Sequence, residues 1–252
     1  MPFGTGIGEG RGRAAPALGE PAPQNPAALI VFAKAPEPGA VKTRLTGVLT
    51  EEEAARLYEA FLHDSLAVYV RLPAAVRLYL TPSSGALPAG LVPECVSVHT
   101  QRGDGLGERM LNAFVETFVA GYERVVVIGT DHPTLPLAFV ERAFEELAPP
   151  LATVIGPSED GGYYLLGMNE VYPQLFRGMT YSHPRVFEDT LQRIHATPAS
   201  LSILPTWYDV DTPEALRRLA ADLAGGAGAA PEARRTREVM DVLRARYGLR
   251  VD

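Results

Sequence analysis

The sequence has one cysteine, Cys95, among 252 residues. No intramolecular disulfide can form, and a lone thiolate cannot build a cysteine-rich metal site. Long apolar runs are missing as well: nothing approaches the ~20 residues that a membrane-spanning helix needs. The N-terminus lacks the charged-then-apolar order of a signal peptide. The expectation is a cytoplasmic protein in a reducing compartment, without a membrane span. Basic charge is also scarce. The chain carries 23 Lys and Arg against 30 Asp and Glu, a net charge of −7. Nucleic-acid binding requires a basic face, so nucleic acid is not an expected partner. Lysine is the rarer of the two basic types: only Lys34 and Lys42 occur, and both fall within residues 32–45.

What is present is the pattern of an α/β domain. Residues 1–26 are rich in Gly, Pro and Ala without hydrophobic period and read as a disordered tail. From residue 27 to 224 short apolar runs alternate with amphipathic segments, which predicts a single domain with a mostly parallel sheet flanked by helices. Strands are expected at residues 28–33, 76–80, 96–99, 125–128, 152–156, 163–166, 201–204 and 208–210. Thr50 and Glu53 have the spacing of a capping box, with Leu57, Phe61, Leu66 and Tyr69 on the helix face behind them. A second helix over 105–118 places Leu106, Met110, Phe114 and Phe118 inside. Further helices are expected over 137–147, from Pro184 to Ile194 with Ser182 as cap, and after Thr212-Pro213. Residues 225–252 read as a glycine-rich linker and a last helix.

Five segments carry candidate chemistry. The first joins the apolar run 28–33 to Lys34, Gly39, Lys42 and Arg44. A basic loop after the first strand of an open α/β sheet is where phosphate-bearing ligands bind. Lysine supplies a compact charge and arginine a bidentate fork; two lysines could also share a solvated turn by chance. The second segment, residues 101–110, joins a strand to a helix through Gly103, Gly105 and Gly107. Its glycines could accept a flat base or ribose, with Arg109 facing phosphate or acceptor. The third ends the β-branched run 125–128 at Asp131. A carboxylate there points into the ligand crevice and is a hard oxygen ligand of the kind Mg²⁺ prefers, although it could instead cap the turn at Pro133. The fourth, residues 158–167, holds Asp160, Gly161, Gly162 and Tyr163. Asp-Gly is a strong hairpin signal, while Gly162 and Tyr163 could serve an acceptor. The fifth places Asp209 and Asp211 two apart, on one side of an extended segment; one could bind a cation while the other supports a helix start. A nucleophile elbow and a Walker A loop are both absent.

These segments, in this order, resemble the DUF2064 family: Phe-Ala-Lys-x-Pro-x-Pro-Gly-x-Val-Lys-Thr-Arg-Leu, Gly-Leu-Gly-Glu-Arg-Met, Ile-Gly-Thr-Asp-x-Pro, Glu-Asp-Gly-Gly-Tyr-Tyr-Leu-Leu-Gly and Asp-Val-Asp-Thr-Pro. That family includes glycosyltransferases associated with arsenosugar biosynthesis and sits in the nucleotide-diphospho-sugar transferase superfamily. The resemblance implies the GT-A fold, a nucleotide at Lys34, Gly39, Lys42 and Arg44, and a divalent metal, Mg²⁺ or Mn²⁺, at Asp131 with Asp209 or Asp211. The residues themselves add Gly105 and Arg109 to the nucleotide site and place a small-molecule acceptor near Asp160, Gly162 and Tyr163. Lys42, Asp131 and Asp211 are then the expected catalytic set. The implied reaction is glycosyl transfer from a nucleotide sugar, with nucleotidyl transfer to a small phosphorylated acceptor or non-catalytic nucleotide binding as alternatives. The first loop departs from the Gly-Gly-x-Ser-x-Arg-Met-Gly loop of guanylyltransferase relatives, so their nucleotide and reaction do not carry over.

Overall fold

In the computed structural model, residues 25–82, 85–224 and 232–248 are described. The tail expected over 1–26 therefore lies, up to residue 24, outside the described residues, as does the glycine linker at 225–228.

Seven strands form one sheet in the order β3-β2-β1-β4-β6-β5-β7. They are β1 (Ala27–Ala33), β2 (Ala75–Leu80), β3 (Ser97–Thr100), β4 (Arg124–Ile128), β5 (Ala152–Pro157), β6 (Tyr163–Met168) and β7 (Ser200–Ile203). All pair in parallel except β6, which runs antiparallel between β4 and β5. Six α-helices lie among the described residues: α1 (Glu51–Tyr69), α2 (Leu106–Val119), α3 (Leu137–Glu146), α4 (Val186–His195), α5 (Pro213–Ala224) and α6 (Arg234–Tyr247); the first four pack on the sheet, and α5 and α6 pack with α1. The α/β class and mostly parallel sheet match the expectation.

The two-residue period of the strands builds both layers. Leu29, Val31, Val126 and Ile128 join Leu62 and Leu66 of α1 and Val140 and Phe144 of α3 on one face. Ile30, Val125 and Val127 join Met110 and Phe114 of α2 and Ile194 of α4 on the other. Being buried on both faces is why these strands read as unbroken apolar runs. Chain order also fixes the crevice. Strands β1, β2 and β3 step outward one way, and β4 returns to the far side of β1. This reversal is the topological switch point of an open sheet, where the strand ends leave room for a ligand.

Three sequence-based expectations need correction. Residues 208–210 form no strand; instead Trp207 makes an isolated bridge with Ser158. Ser182 does not cap α4. It has φ +65, and the N-cap is Arg185 without a side-chain bond. Leu106 is 45% exposed, because it opens α2 at the edge of the cleft described below and not over the sheet.

Helix α1 starts at the expected capping box: the Glu53 amide donates to Thr50 Oγ1 (3.2 Å) and the Thr50 amide to Glu53 Oε2 (2.9 Å). It also receives α6 antiparallel. The buried Asp64 carboxylate accepts from the amides of Arg235 (3.2 Å) and Thr236 (2.8 Å), so a residue of α1 caps the start of α6. At the other end Arg246 and Tyr247 both donate to Glu53 (2.7 Å each). Asp64→Ala should cost about 1–3 kcal/mol, the scale of a buried charged acceptor lost with its donors left unpaired. Urea unfolding would read this, and amide exchange should speed up most in α6.

Candidate functional site

The loop after β1 turns through Gly39 (φ +75) into a 3-10 turn at Thr43–Leu45. Leu45 and Leu49 anchor it in a third apolar cluster with Leu57 and Phe61 of α1, Val210, and Leu216 and Leu219 of α5. Anchored in this way, the loop drives Lys42 inward. Its residue exposure is 8%, and its backbone is left-handed at φ 49, ψ 34. For a residue with a Cβ that costs roughly 1 kcal/mol and persists only where surroundings enforce it.

The enforcing contacts are ionic. Lys42 Nζ donates to Asp131 Oδ1 and, at 2.8 Å, to Asp211 Oδ1. Two partners of one ammonium lie within about 6 Å of each other, so Asp131 and Asp211 converge although 80 residues separate them. A backbone bond locks the convergence: the Val210 amide donates to the Asp131 carbonyl (2.7 Å). Thr212 Oγ1 accepts from the Ala215 amide (3.2 Å), so Thr212 caps α5 and leaves Asp211 for Lys42. Both carboxylates stay open to solvent, with side-chain exposures of 43% for Asp131 and 38% for Asp211.

Burial alone would lower the Lys42 pKa, but the charges and hydrogen bonds of Asp131 and Asp211 outweigh it and raise it. The ammonium also lies 5.9 Å from the Tyr58 ring centroid and 5.4 Å from that of Phe61. Tyr58 accepts from the Lys34 amide (3.1 Å) and pairs with Thr130 Oγ1 (2.8 Å). Burial first, and then the Asp131 charge, push its pKa up to about 12, so it stays a neutral hydroxyl. Sequence periodicity marked neither Tyr58 nor Thr130, since both resemble ordinary packing residues.

These groups line a cleft of about 560 Å³ at the switch point, together with Lys34, Arg44, Gln101, Leu106, Arg109, Met110 and Tyr163. Five of the expected positions lie elsewhere. Gly39 faces the Glu51 carboxylate, and Gly105 is the extended N-cap of α2. Asp209 faces the buried ring of His132 (3.5 Å) and not Lys42. Asp160 accepts from the Gly162 amide (2.9 Å) within the β5–β6 hairpin; the glycine this turn demands is Gly161, at φ +88, where a Cβ would overlap the Pro184 carbonyl. Asp160 and Asp209 line an adjoining cavity of about 340 Å³ that shares Arg44 and Asp211 with the cleft.

Residues 66–183 match the family described as "Uncharacterized protein conserved in bacteria (DUF2064)". The chain is similar to a crystal structure from Desulfovibrio desulfuricans G20 named as a candidate nucleotide-diphospho-sugar transferase. Identity is 34% over 89% of this chain and 99% of that one, with TM-score 0.79. It is also similar to Rv0371c from Mycobacterium tuberculosis H37Rv, at 15% identity over 77% of this chain and 97% of that one, with TM-score 0.49. No curated protein matches the chain.

Lys42→Met keeps volume and removes the charge. At pH 7 it should cost roughly 1–2 kcal/mol, below the range for a fully buried pair because both carboxylates are partly solvated. A raised lysine pKa gives stability that is complete below the ordinary value of 10.5 and is lost as pH climbs through the folded value. The stability gap between wild type and Lys42→Met should therefore shrink above pH 10.5 in denaturation series. A gap constant up to pH 11.5 would mean that the ion pairs stabilise nothing.

Proposed function

The chain belongs to the DUF2064 family, and from that premise we propose that it is a transferase using a nucleotide sugar as glycosyl donor, with Mg²⁺ or Mn²⁺ as cofactor. The observation that carries this reading is the charge of the cleft. Lys34, Lys42, Arg44 and Arg109 line it against two carboxylates, Asp131 and Asp211, in a chain whose net charge is −7. A concave, locally cationic site in an acidic protein concentrates anions, and a nucleoside diphosphate is an anion of suitable size.

The carboxylate pair suits a hard cation, which takes one or two carboxylates and completes its shell with phosphate oxygens and water. Among the described residues no three His, Cys, Asp or Glu side chains group to hold a metal unaided, so Asp131 and Asp211 are the residues that would hold it. When bound, such an ion neutralises charge on the phosphates. The chain's own residues do the rest. Lys42 and Lys34 give point charges to the diphosphate, and Arg44 and Arg109 give planar forks. The bond from the sugar's anomeric carbon to the phosphate oxygen breaks, and the diphosphate leaves with the electron pair. The acceptor hydroxyl oxygen forms the new bond to the anomeric carbon, and its proton passes to the departing diphosphate. No protein nucleophile is required; positioning and charge stabilisation carry the rate. The acceptor belongs beside Tyr163 and in the adjoining cavity bordered by Asp160, next to the shared Arg44 and Asp211.

Nucleotidyl transfer is the second reading, favoured by the same four cations, which suffice for a triphosphate. Products separate the two: released nucleoside diphosphate marks glycosyl transfer and released pyrophosphate marks nucleotidyl transfer. A panel of nucleotide sugars and nucleoside triphosphates, assayed with Mn²⁺ and a set of small hydroxyl acceptors, should yield one of these products. Asp211→Asn, which keeps a polar partner for Lys42, should lower that turnover by about 100-fold or more. Tight binding of the ligands with neither product would leave a binding protein and defeat both readings.

A further inference from the structure

Lys42, Asp131 and Asp211 satisfy one another. The Lys42 ammonium donates to Oδ1 of both carboxylates, so it stands at the point those two oxygens share. A hard cation bridging the same oxygens needs that point for itself. An ammonium and a divalent ion held side by side would also repel. The two carboxylates therefore serve one cation at a time.

The place of the ammonium is a built one. The Lys42 side chain is 2% exposed, against 43% and 38% for those of the aspartates. The rings of Tyr58 and Phe61 lie 5.9 and 5.4 Å from Nζ, a range in which an aromatic ring attracts an organic cation. The flanks of Lys42 are anchored: Val41 packs with Ala55 and Tyr58, and Leu45 sits in the cluster with α1 and α5. The four-carbon lysine stem is flexible, so the ammonium can turn within the cleft while the loop stays in place. Lys34 lines the same cleft, but its ammonium rests on the Ala40 carbonyl (3.4 Å).

We propose that Lys42 is an internal counter-ion that holds the metal's place until a phosphate ligand draws it away. A diphosphate entering the cleft offers the ammonium new oxygens. The lysine turns to them, and both carboxylates pass to the divalent ion that arrives with the phosphates. The free ion then binds poorly and the metal–diphosphate complex binds well, each ligand assisting the other by the same factor. This rests on the nucleotide reading above and deepens it, because one side chain sets the order of loading. Without the counter-ion, two carboxylates would face each other unneutralised whenever the metal was away.

The full chain is titrated with Mn²⁺ alone, the free ion being followed by electron paramagnetic resonance. Lys42→Met should bind Mn²⁺ about tenfold or more tighter than wild type, within the usual range of such couplings. Lys34→Met removes an equal charge from the same cleft and should gain less than about threefold, as a charge acting through a screened field does. Equal affinities in wild type and Lys42→Met overturn the proposal. An equal gain in Lys34→Met also overturns it, because any charge in the cleft would then serve. Wild type supplies a second measurement that needs no Lys42 variant. Its two lysines give two sets of side-chain signals in protein carrying ¹³C-lysine, assigned with Lys34→Arg. UDP or GDP with Mg²⁺ should shift the Lys42 signal, and Mg²⁺ alone should not. A shift with Mg²⁺ alone means that the ion displaces the lysine unaided, against the proposal. A Lys42 signal unmoved by a nucleotide that calorimetry shows to bind defeats the proposal and leaves the nucleotide site standing. If UDP, GDP, ADP, CDP and pyrophosphate all fail to bind, with and without Mg²⁺, the nucleotide reading itself falls and the proposal falls with it.

Discussion

The ammonium of Lys42 holds together three segments that lie far apart in the chain: the loop after β1, the turn after β4 and the approach to α5. It bonds to Asp131 and Asp211, which would repel each other across so short a distance without it. Each segment is brought there independently. Leu45 and Leu49 are buried in the cluster shared with α1, α5 and α6. The β4 strand delivers Asp131 to the switch point, and Val210 is bonded to the Asp131 carbonyl. The left-handed backbone at Lys42 is the local cost of this arrangement. Packing and two ion pairs together offset it, and strain held in that way is typical of ligand sites.

The same cluster shows how charge can be organised against composition. An acidic chain keeps four cations and two carboxylates around one cleft, and sends its acidic excess elsewhere. Low-dielectric walls and convergent strand ends make that local field stronger than surface charges of equal number. Tyr58 contributes without carrying charge: its ring backs the ammonium, and its hydroxyl fixes the start of the loop through the Lys34 amide.

Much of this was legible before any fold was known. Strand runs buried on both faces leave unbroken apolar strings, so β1 and β4 were plain, and with them the positions of Lys34 and Asp131. Lysine scarcity singles out the loop whose Lys34 and Lys42 line the cleft. The turn at Gly161, the capping box of α1 and the Thr212 cap are local, and local chemistry is readable from neighbours. Other features depend on contacts that no spacing reveals. Whether Asp209 or Asp211 turns toward Asp131 is decided by the Val210 bond. Residues 208–210 look like a strand because they alternate, yet the bridge to the sheet is made by Trp207, to Ser158, and Val210 bonds instead to the Asp131 carbonyl. Leu106 matches a core position by period and faces the cleft because α2 begins there.

The central claim is that phosphates bind where Lys42 meets Asp131 and Asp211. Its most direct test is a crystal structure of the protein soaked with a nucleoside diphosphate and Mn²⁺, with anomalous data at the manganese edge. The account predicts an anomalous peak within coordination distance of Asp131 and Asp211, about 2–2.5 Å, and a diphosphate against Lys42 at the ends of β1 and β4. A nucleotide bound on another face of the sheet, with Lys42 still held between the two aspartates, would contradict it.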